Sequence, residues 1–389
     1  MKKKYKKIMS RIKKTFIEFS YSLLSVILRI LPLNAKKVLF LSDQRNKLDG
    51  NFGFICDCIS KEDYIIIEDL LTNNFCRRSI KQKIKLIYNI ATSKYVLLDD
   101  WNKAISLIKP RKNQDFVQLW HGAGAFKKFG NARLNSQKKS NTGHQNYTKA
   151  IVSSEEMRQV YADSYGIDID KVRATGIPRT DIFFDDDYKK KTINEIYKKH
   201  PNLKEKKVIL FAPTLRTYSK NVSSAYYDFE MLDLETLQKE FGEEYILILK
   251  WHPFIYNKLK LKKLRFNYEN YKDFVIDMSE YREINDLLLI ADVLITDYSS
   301  VIFDYCLLDK PIVFYAYDLD KYDQSRGFYF PYEDYAYGKI AFNTKELVKC
   351  IKDNDMIESK RISFRDKFMS SCDGNSTNKT IEYIFKDFD

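Results

Sequence analysis

Two histidines stand where apolar runs end. His121 follows FVQLW (116–120) and His252 follows YILILKW (245–251). Imidazole changes charge near neutral pH, so either could take a proton from a reacting hydroxyl or donate to an anion. Gly122 follows His121, with Ala123 and Gly124 beyond, a stretch where backbone can approach a ligand closely. A third candidate is Thr296-Asp297-Tyr298-Ser299-Ser300, after the apolar Val293, Leu294 and Ile295. There the Ser299 and Ser300 hydroxyls would lie beside the unpaired N–H groups of a helix over 300–308, a setting that suits phosphate, with Thr296 at its edge. Lys250, Arg216 and Arg326 add positive charge, and guanidinium grips phosphate bidentately. Asp297 has the wrong sign to touch phosphate and is expected to orient its loop or an imidazole. Asp304 reads as a helix-surface acid, Lys127 and Lys128 as a solvated pair within reach of an acceptor's diphosphate, and Arg179 and Asp181 as a local ion pair. Each type has a plainer use, Ser299 as a helix cap or a lone arginine as a surface charge, so the fold must decide.

Other chemistries find less support. Asp99-Asp100 and Asp185-Asp186-Asp187 have no histidine at ligand spacing, and the six cysteines show no paired metal spacing, so neither a protein-bound metal nor another cofactor is expected. Gly122-x-Gly124 lacks the third glycine and downstream acid of a dinucleotide fingerprint.

The elements that must position these residues alternate. KKVLFLSD (36–43), YIIIED (64–69), YVLLDD (95–100), FVQLW, AIVSS (150–154) and VRATG (172–176) read as strands, with helices such as 76–92 and 155–165 between them. A second series, at 207–214, 245–253, 274–279, 293–300 and 311–318, follows a charged linker at 185–206. Its helices are expected at 283–290, 344–353 and 376–386. The pattern predicts an α/β protein of two doubly wound, Rossmann-like domains facing a cleft, spanning 36–200 and 201–389, with ligands beyond the strands' carboxyl ends. GIPRTD (176–181) is expected to form the turn between domains.

The net charge of +13 is concentrated. Residues 1–37 hold eleven Lys or Arg against Glu18 alone, which leaves +3 for the rest, so a duplex-binding face and a nucleic-acid partner are not expected. Ile8, Ile12, Phe16, Phe19, Leu23, Ile27 and Ile30 recur at helical spacing, and Pro32 should end that helix. Glu18 and Arg29 interrupt it too soon for a membrane span, and no small-residue cleavage site follows Leu31. Residues 1–35 are therefore expected to lie on an anionic membrane surface as a basic amphipathic helix.

WHGAGAFKKFG (120–130), GIPRTDIFF (176–184), FAPTLR (211–216), LKWHPF (249–254), ADVLITDYSSVIFDY (291–305), RGFYFPYEDY (326–335) and DGNSTNKTI (373–381) together resemble the CDP-glycerol glycerophosphotransferase family in order and spacing. The resemblance implies a glycosyltransferase-B-like fold and peripheral attachment to the cytoplasmic face of the cell membrane. It also implies transfer of glycerol phosphate from CDP-glycerol to a lipid-linked (undecaprenyl diphosphate) teichoic-acid acceptor, with release of CMP and no metal. His121 is then the candidate base and His252 a partner of a phosphoryl oxygen. Ser299, Ser300, Arg216, Arg326, Thr296 and Lys250 become candidate ligands of the CDP-polyol, supported by Asp297 and Gly122. The family's usual Thr-Pro after His-Gly is Ala123-Gly124 here, and its Pro-Gly-Pro is Tyr337-Gly338-Lys339, which bears on the acceptor. The large polymerases' extra N-terminal domain is missing, which points to a primase or short-chain enzyme. The alternatives are a CDP-ribitol-using ribitol-phosphate or capsule polymerase and, in another class, a non-catalytic peripheral membrane protein binding a nucleotide or lipid. Oligomeric state leaves no mark in the sequence.

Overall fold

The structure is a computed structural model describing residues 5, 9, 21–71, 78–133, 143–217, 225–353 and 355–386. The chain forms two compact units. The first comprises Met1–His121, Phe129–Arg179 and Asn375–Asp389, and the second Gly122–Lys128 and Thr180–Gly374.

In the first unit, strands β1 (Asn34–Ser42), β2 (Ile65–Leu70), β3 (Ser93–Leu98), β4 (Asp115–Gln118), β5 (Lys149–Ile151) and β6 (Val172–Arg173) form a sheet in the order β2-β1-β3-β4-β5-β6. All its pairings are parallel. Val38 to Leu41 and Val96 to Leu98 are fully buried because helices cover both faces, which is why these strands read as continuous apolar runs rather than alternating ones.

The second unit holds β7 (Lys207–Phe211), a small antiparallel ribbon of β8 (Arg216–Thr217) and β9 (Ala225–Tyr226), then β10 (Tyr245–Leu249), β11 (Val275–Asp277), β12 (Val293–Thr296), β13 (Ile312–Tyr315) and β14 (Lys339–Ala341). Its main sheet is parallel throughout, in the order β11-β10-β7-β12-β13-β14. Two six-stranded parallel sheets thus replace the expected six and five, since the three-residue β14 is too short to leave a periodic signal.

Three boundaries differ from expectation. The segment 185–206 is not a linker. Asp185 caps the helix Asp186–Lys199 by accepting from the Asp187 and Tyr188 N–H groups, and acids in the first turn with lysines in the last complement its dipole. Tyr188 donates to Asp286 Oδ1 at 2.9 Å, tying that helix to Ile284–Ile290 of the second unit, so the division falls at Arg179/Thr180 and not near 200. The last helix, Ser376–Phe385, belongs to the first unit, where the Phe385 ring packs against Tyr64 and Tyr95.

Most of the predicted N-terminal helix lies outside the described residues. Residues 21–27 are helical, and a 3-10 turn Leu28–Ile30 follows and ends before Pro32 with Leu31 extended. Leu23, Val26, Ile27 and Ile30 are exposed, while Arg29 donates to the Lys109 carbonyl at 2.7 Å. No helix among the described residues is long and apolar enough to cross a membrane.

Candidate active site

His121 sits three residues past the end of β4 in the first unit. Leu119 still bonds back, its N–H donating to the Leu98 carbonyl at 2.7 Å, but Trp120 turns the chain with φ of +57°. A bulky residue adopts that left-handed conformation at a cost of about 1–3 kcal/mol and keeps it only where its surroundings impose it. Here they do. Trp120 N–H donates to Gln118 Oε1 at 2.9 Å, and Asn51 Nδ2 donates to the Trp120 carbonyl at 3.1 Å. Asn51 Oδ1 in turn accepts from the Arg179 N–H at 3.0 Å, and Arg179 Nη1 donates to the His121 carbonyl at 2.8 Å. Arg179 therefore holds the His121 backbone and is not simply the local partner of Asp181 that the sequence suggested. The indole stacks on the imidazole at 4.4 Å between centroids, yet the His121 side chain stays 53% exposed. A pinned backbone with an open ring is the arrangement a proton-transfer group needs.

Around the carboxyl ends of β1, β2 and β3 lie charges whose pairing the sequence did not disclose. Arg45 pairs with Asp49 and Asp99, and Arg78 pairs with Asp43 at 2.6 Å and Asp69 at 2.7 Å. Asp100 stands apart from these pairs, its Oδ2 3.9 Å from His121 Nδ1.

In the second unit, the turn after β12 is shorter and more self-contained than expected. The helix spans Val301–Tyr305 and not 300–308. Its first N–H groups are already engaged: that of Val301 with Ser299 Oγ at 3.4 Å, that of Ile302 with the Ser299 carbonyl at 3.4 Å, and that of Phe303 with the Ser300 carbonyl at 3.2 Å. The expected cradle of unpaired helix N–H groups is corrected accordingly, and what this turn offers an anion is the two half-exposed serine hydroxyls. Gly122, next in the chain after His121, packs beside Ser300, and a Cβ built there would lie 3.5 Å from Ser300 Oγ. A Cβ at Gly124 would come within 2.3 Å of the Phe303 ring, so glycine is required.

Three candidate phosphate ligands are committed elsewhere. Arg216 is 4% exposed and grips Asp318 with two bonds of 2.7 Å, while its Nη1 donates to Asp297 Oδ2 at 2.8 Å and to the Thr214 carbonyl at 2.6 Å. Tyr298, Tyr317 and Tyr322 surround the guanidinium at 5.0–5.2 Å, making it the hub of a buried network. Thr296 Oγ1 donates to the Ala212 carbonyl at 2.7 Å with the side chain fully buried. Lys250 turns inward to the Ser279 carbonyl at 3.1 Å, and burial pulls its ammonium down to about 8. Asp297 does orient its loop, accepting from the Thr214 and Tyr298 N–H groups as well as from Arg216. Asp304 is buried, not a surface acid, and accepts from Asn285 at 3.0 Å.

Two candidates are half-buried. His252 caps the helix Pro253–Lys260, its Nδ1 accepting from the Phe254 N–H at 3.3 Å, so the neutral ring carries its proton on Nε2 and presents a donor. Arg326 ends the helix Leu319–Arg326, half-buried, and among the described residues no carboxylate lies in ion-pair reach of it. Lys127 joins it and is not one of a solvated pair. A β-bridge pairs Lys127 with Phe328, and the Lys128 N–H donates to the Gly327 carbonyl at 3.0 Å. Burial, with the Arg326 charge adding, holds the Lys127 ammonium down to about 7, and Asp297 opposes that shift. Like charges kept together in this way attract an anion. Among the described residues no group of three or more His, Cys, Asp or Glu side chains could hold a metal ion.

A family model described as CDP-Glycerol:Poly(glycerophosphate) glycerophosphotransferase matches residues 23–386. The chain is 39% identical over 387 residues to the teichoic acid poly(ribitol-phosphate) polymerase of Bacillus spizizenii, a match covering 98% of this chain and 61% of that protein. It is 31% identical over 393 residues to the teichoic acid ribitol-phosphate primase of the same species, covering 97% of each. The solved wall teichoic acid polymerase TagF shares the fold, with a TM-score of 0.75 over 99% of this chain and 97% of that one, at 23% identity. The chain thus spans about six-tenths of the polymerase's length and nearly all of the primase's.

Proposed function

The chain belongs to the CDP-glycerol:poly(glycerophosphate) glycerophosphotransferase family, and from that premise we propose that it transfers a polyol phosphate from a CDP-polyol to a hydroxyl of a lipid-linked teichoic-acid acceptor. The acceptor oxygen bonds to the β-phosphorus, the bond from that phosphorus to CMP breaks, and the hydroxyl proton passes to His121. A positioned base of this kind contributes on the order of 10²–10⁴ in rate. Donors fixed in advance offset the charge that develops on the departing CMP. Ser299, Ser300, Arg326 and Lys127 are the groups for that task, and His252 Nε2 is a donor for a phosphoryl oxygen. The observation that carries the reading is His121 itself, its ring open, its own carbonyl held by Arg179 and the strained Trp120 before it held by Asn51.

Ribitol, and not the glycerol that the sequence resemblance implies, is the proposed polyol of the donor. The family's own description specifies glycerol phosphate, and a glycerol-phosphate primase is 34% identical over 308 residues, but the relative at 39% identity over 387 residues is a ribitol-phosphate polymerase. The basic N-terminal segment, with Leu23, Val26, Ile27 and Ile30 exposed at its end, supports a place on the cytoplasmic face of the membrane, where the lipid acceptor would be met.

The test is to incubate the purified chain with a lipid-diphosphate acceptor and either CDP-ribitol or CDP-glycerol, and to weigh the lipid products. Ribitol-phosphate increments are expected, and their number separates single-unit addition from polymerisation. Glycerol-phosphate increments alone would overturn the donor assignment. Binding of either nucleotide without any product would leave the non-catalytic alternative.

A further inference from the structure

We propose that Asp100 is the positioning residue for His121, accepting a hydrogen bond from Nδ1–H and so leaving the Nε2 lone pair as the base. The inference rests on His121 acting as proposed above, and the residues that carry it all lie in the first unit. Asp100 follows β3 directly after Asp99, but the two acids have different partners. Asp99 is spent on Arg45. Asp100 anchors one oxygen locally, Oδ1 accepting from the Trp101 N–H at 2.6 Å, while its carbonyl accepts from Gln118 Nε2 at 3.2 Å. Gln118 also bonds to the Trp120 N–H, so one side chain ties the backbone of the acid to that of the residue before the base. The second oxygen, Oδ2, is left 3.9 Å from His121 Nδ1.

That separation is longer than a hydrogen bond. Catalytic contacts often lie loose until substrate binds. The imidazole has few other ways to turn, because the Trp120 indole covers one face and its own carbonyl is fixed by Arg179. The carboxylate side chain is 25% exposed against 53% for the imidazole, so the acid lies beneath the base with the base toward solvent. Burial raises the Asp100 carboxyl above the usual carboxylate range and the nearby imidazole charge opposes this, as expected where the two groups sense each other. An acid that accepts from one ring nitrogen selects the tautomer whose other nitrogen can take a proton.

The test uses the full chain with 15N-labelled histidine and assigns the His121 signals by their loss in H121N. In the parent, the nitrogen shifts are expected to report the Nδ1–H tautomer. D100N places an amide donor opposite Nδ1 and should convert the ring to Nε2–H, and D100E should restore the parental pattern. In transfer assays, kcat for D100N is expected to fall about 10- to 100-fold with KM changed less than about twofold, since an orienting contact is lost and not a substrate contact. Identical His121 shifts in parent and D100N, or an Nε2–H tautomer in the parent, would overturn the proposal. A parent that shows the Nδ1–H signature and its loss in D100N, yet transfers nothing, would instead overturn the assigned reaction and leave the pairing standing.

Discussion

His121 and Arg216 are both polar groups near strand ends, yet the structure assigns them opposite duties. The imidazole is exposed, stacked on the Trp120 indole and 3.9 Å from Asp100, so H121A should leave thermal unfolding within about 1 kcal/mol of the parent while removing most of the transfer rate. The Arg216 guanidinium is enclosed with Asp297, Asp318 and the tyrosine rings, so R216A strands two carboxylates and should cost about 3–5 kcal/mol in a urea titration. R326A should do the reverse, leaving stability nearly unchanged and raising KM for the CDP-polyol. Lys127 supplies a pH test. Its amine gains a proton as pH falls through about 7, so a donor bound through it should bind more tightly at pH 6 than at pH 8. The diester phosphates of a CDP-polyol keep their charge over that interval. Calorimetry should find this slope in the parent and a flat response in K127M, and a slope that survives in K127M would assign the titration elsewhere.

At the scale of elements, the turn containing Gly122, Ala123 and Gly124 is set by packing. G124A would drive a methyl group into the Phe303 ring, and melting curves should show a loss of about 1–3 kcal/mol. The strands were legible in the sequence because burial on both faces makes VLFL (38–41) or VLIT (293–296) uniformly apolar, and the residues at their carboxyl ends could be picked out from that alone. Which of those residues face outward was not legible. Arg216 lies 81 residues from Asp297 and 102 from Asp318, and Thr296 reaches Ala212 at the end of the neighbouring strand, 84 residues away in the chain, so only strand order decides that both are structural. Lys127 and Arg326 carry no sign of each other in the sequence for the same reason, since a β-bridge between distant segments brings them together. His121 could be singled out because a histidine between a strand and a glycine needs no long-range information.

At the scale of the molecule, the sequence conveyed two α/β halves, but the path between them is not a single crossing. Gly122–Lys128 belongs to the second unit and Asn375–Asp389 returns to the first, arrangements that follow from packing and leave no change in composition. Charge distribution, by contrast, is readable directly. Removing residues 1–33 takes away most of the +10 carried by residues 1–37, and it should release the protein from anionic vesicles in a sedimentation assay. Binding by the parent should weaken as salt is raised through the range that shortens the Debye length, whereas salt-insensitive sedimentation would mean a deeper apolar insertion. The account as a whole is tested most directly by single-turnover transfer from radiolabelled CDP-ribitol to a lipid-diphosphate acceptor, comparing the parent with folded H121A. It predicts label in the parent's lipid fraction and a rate on the order of 10²–10⁴ lower for the variant. Equal rates in the two proteins would contradict it.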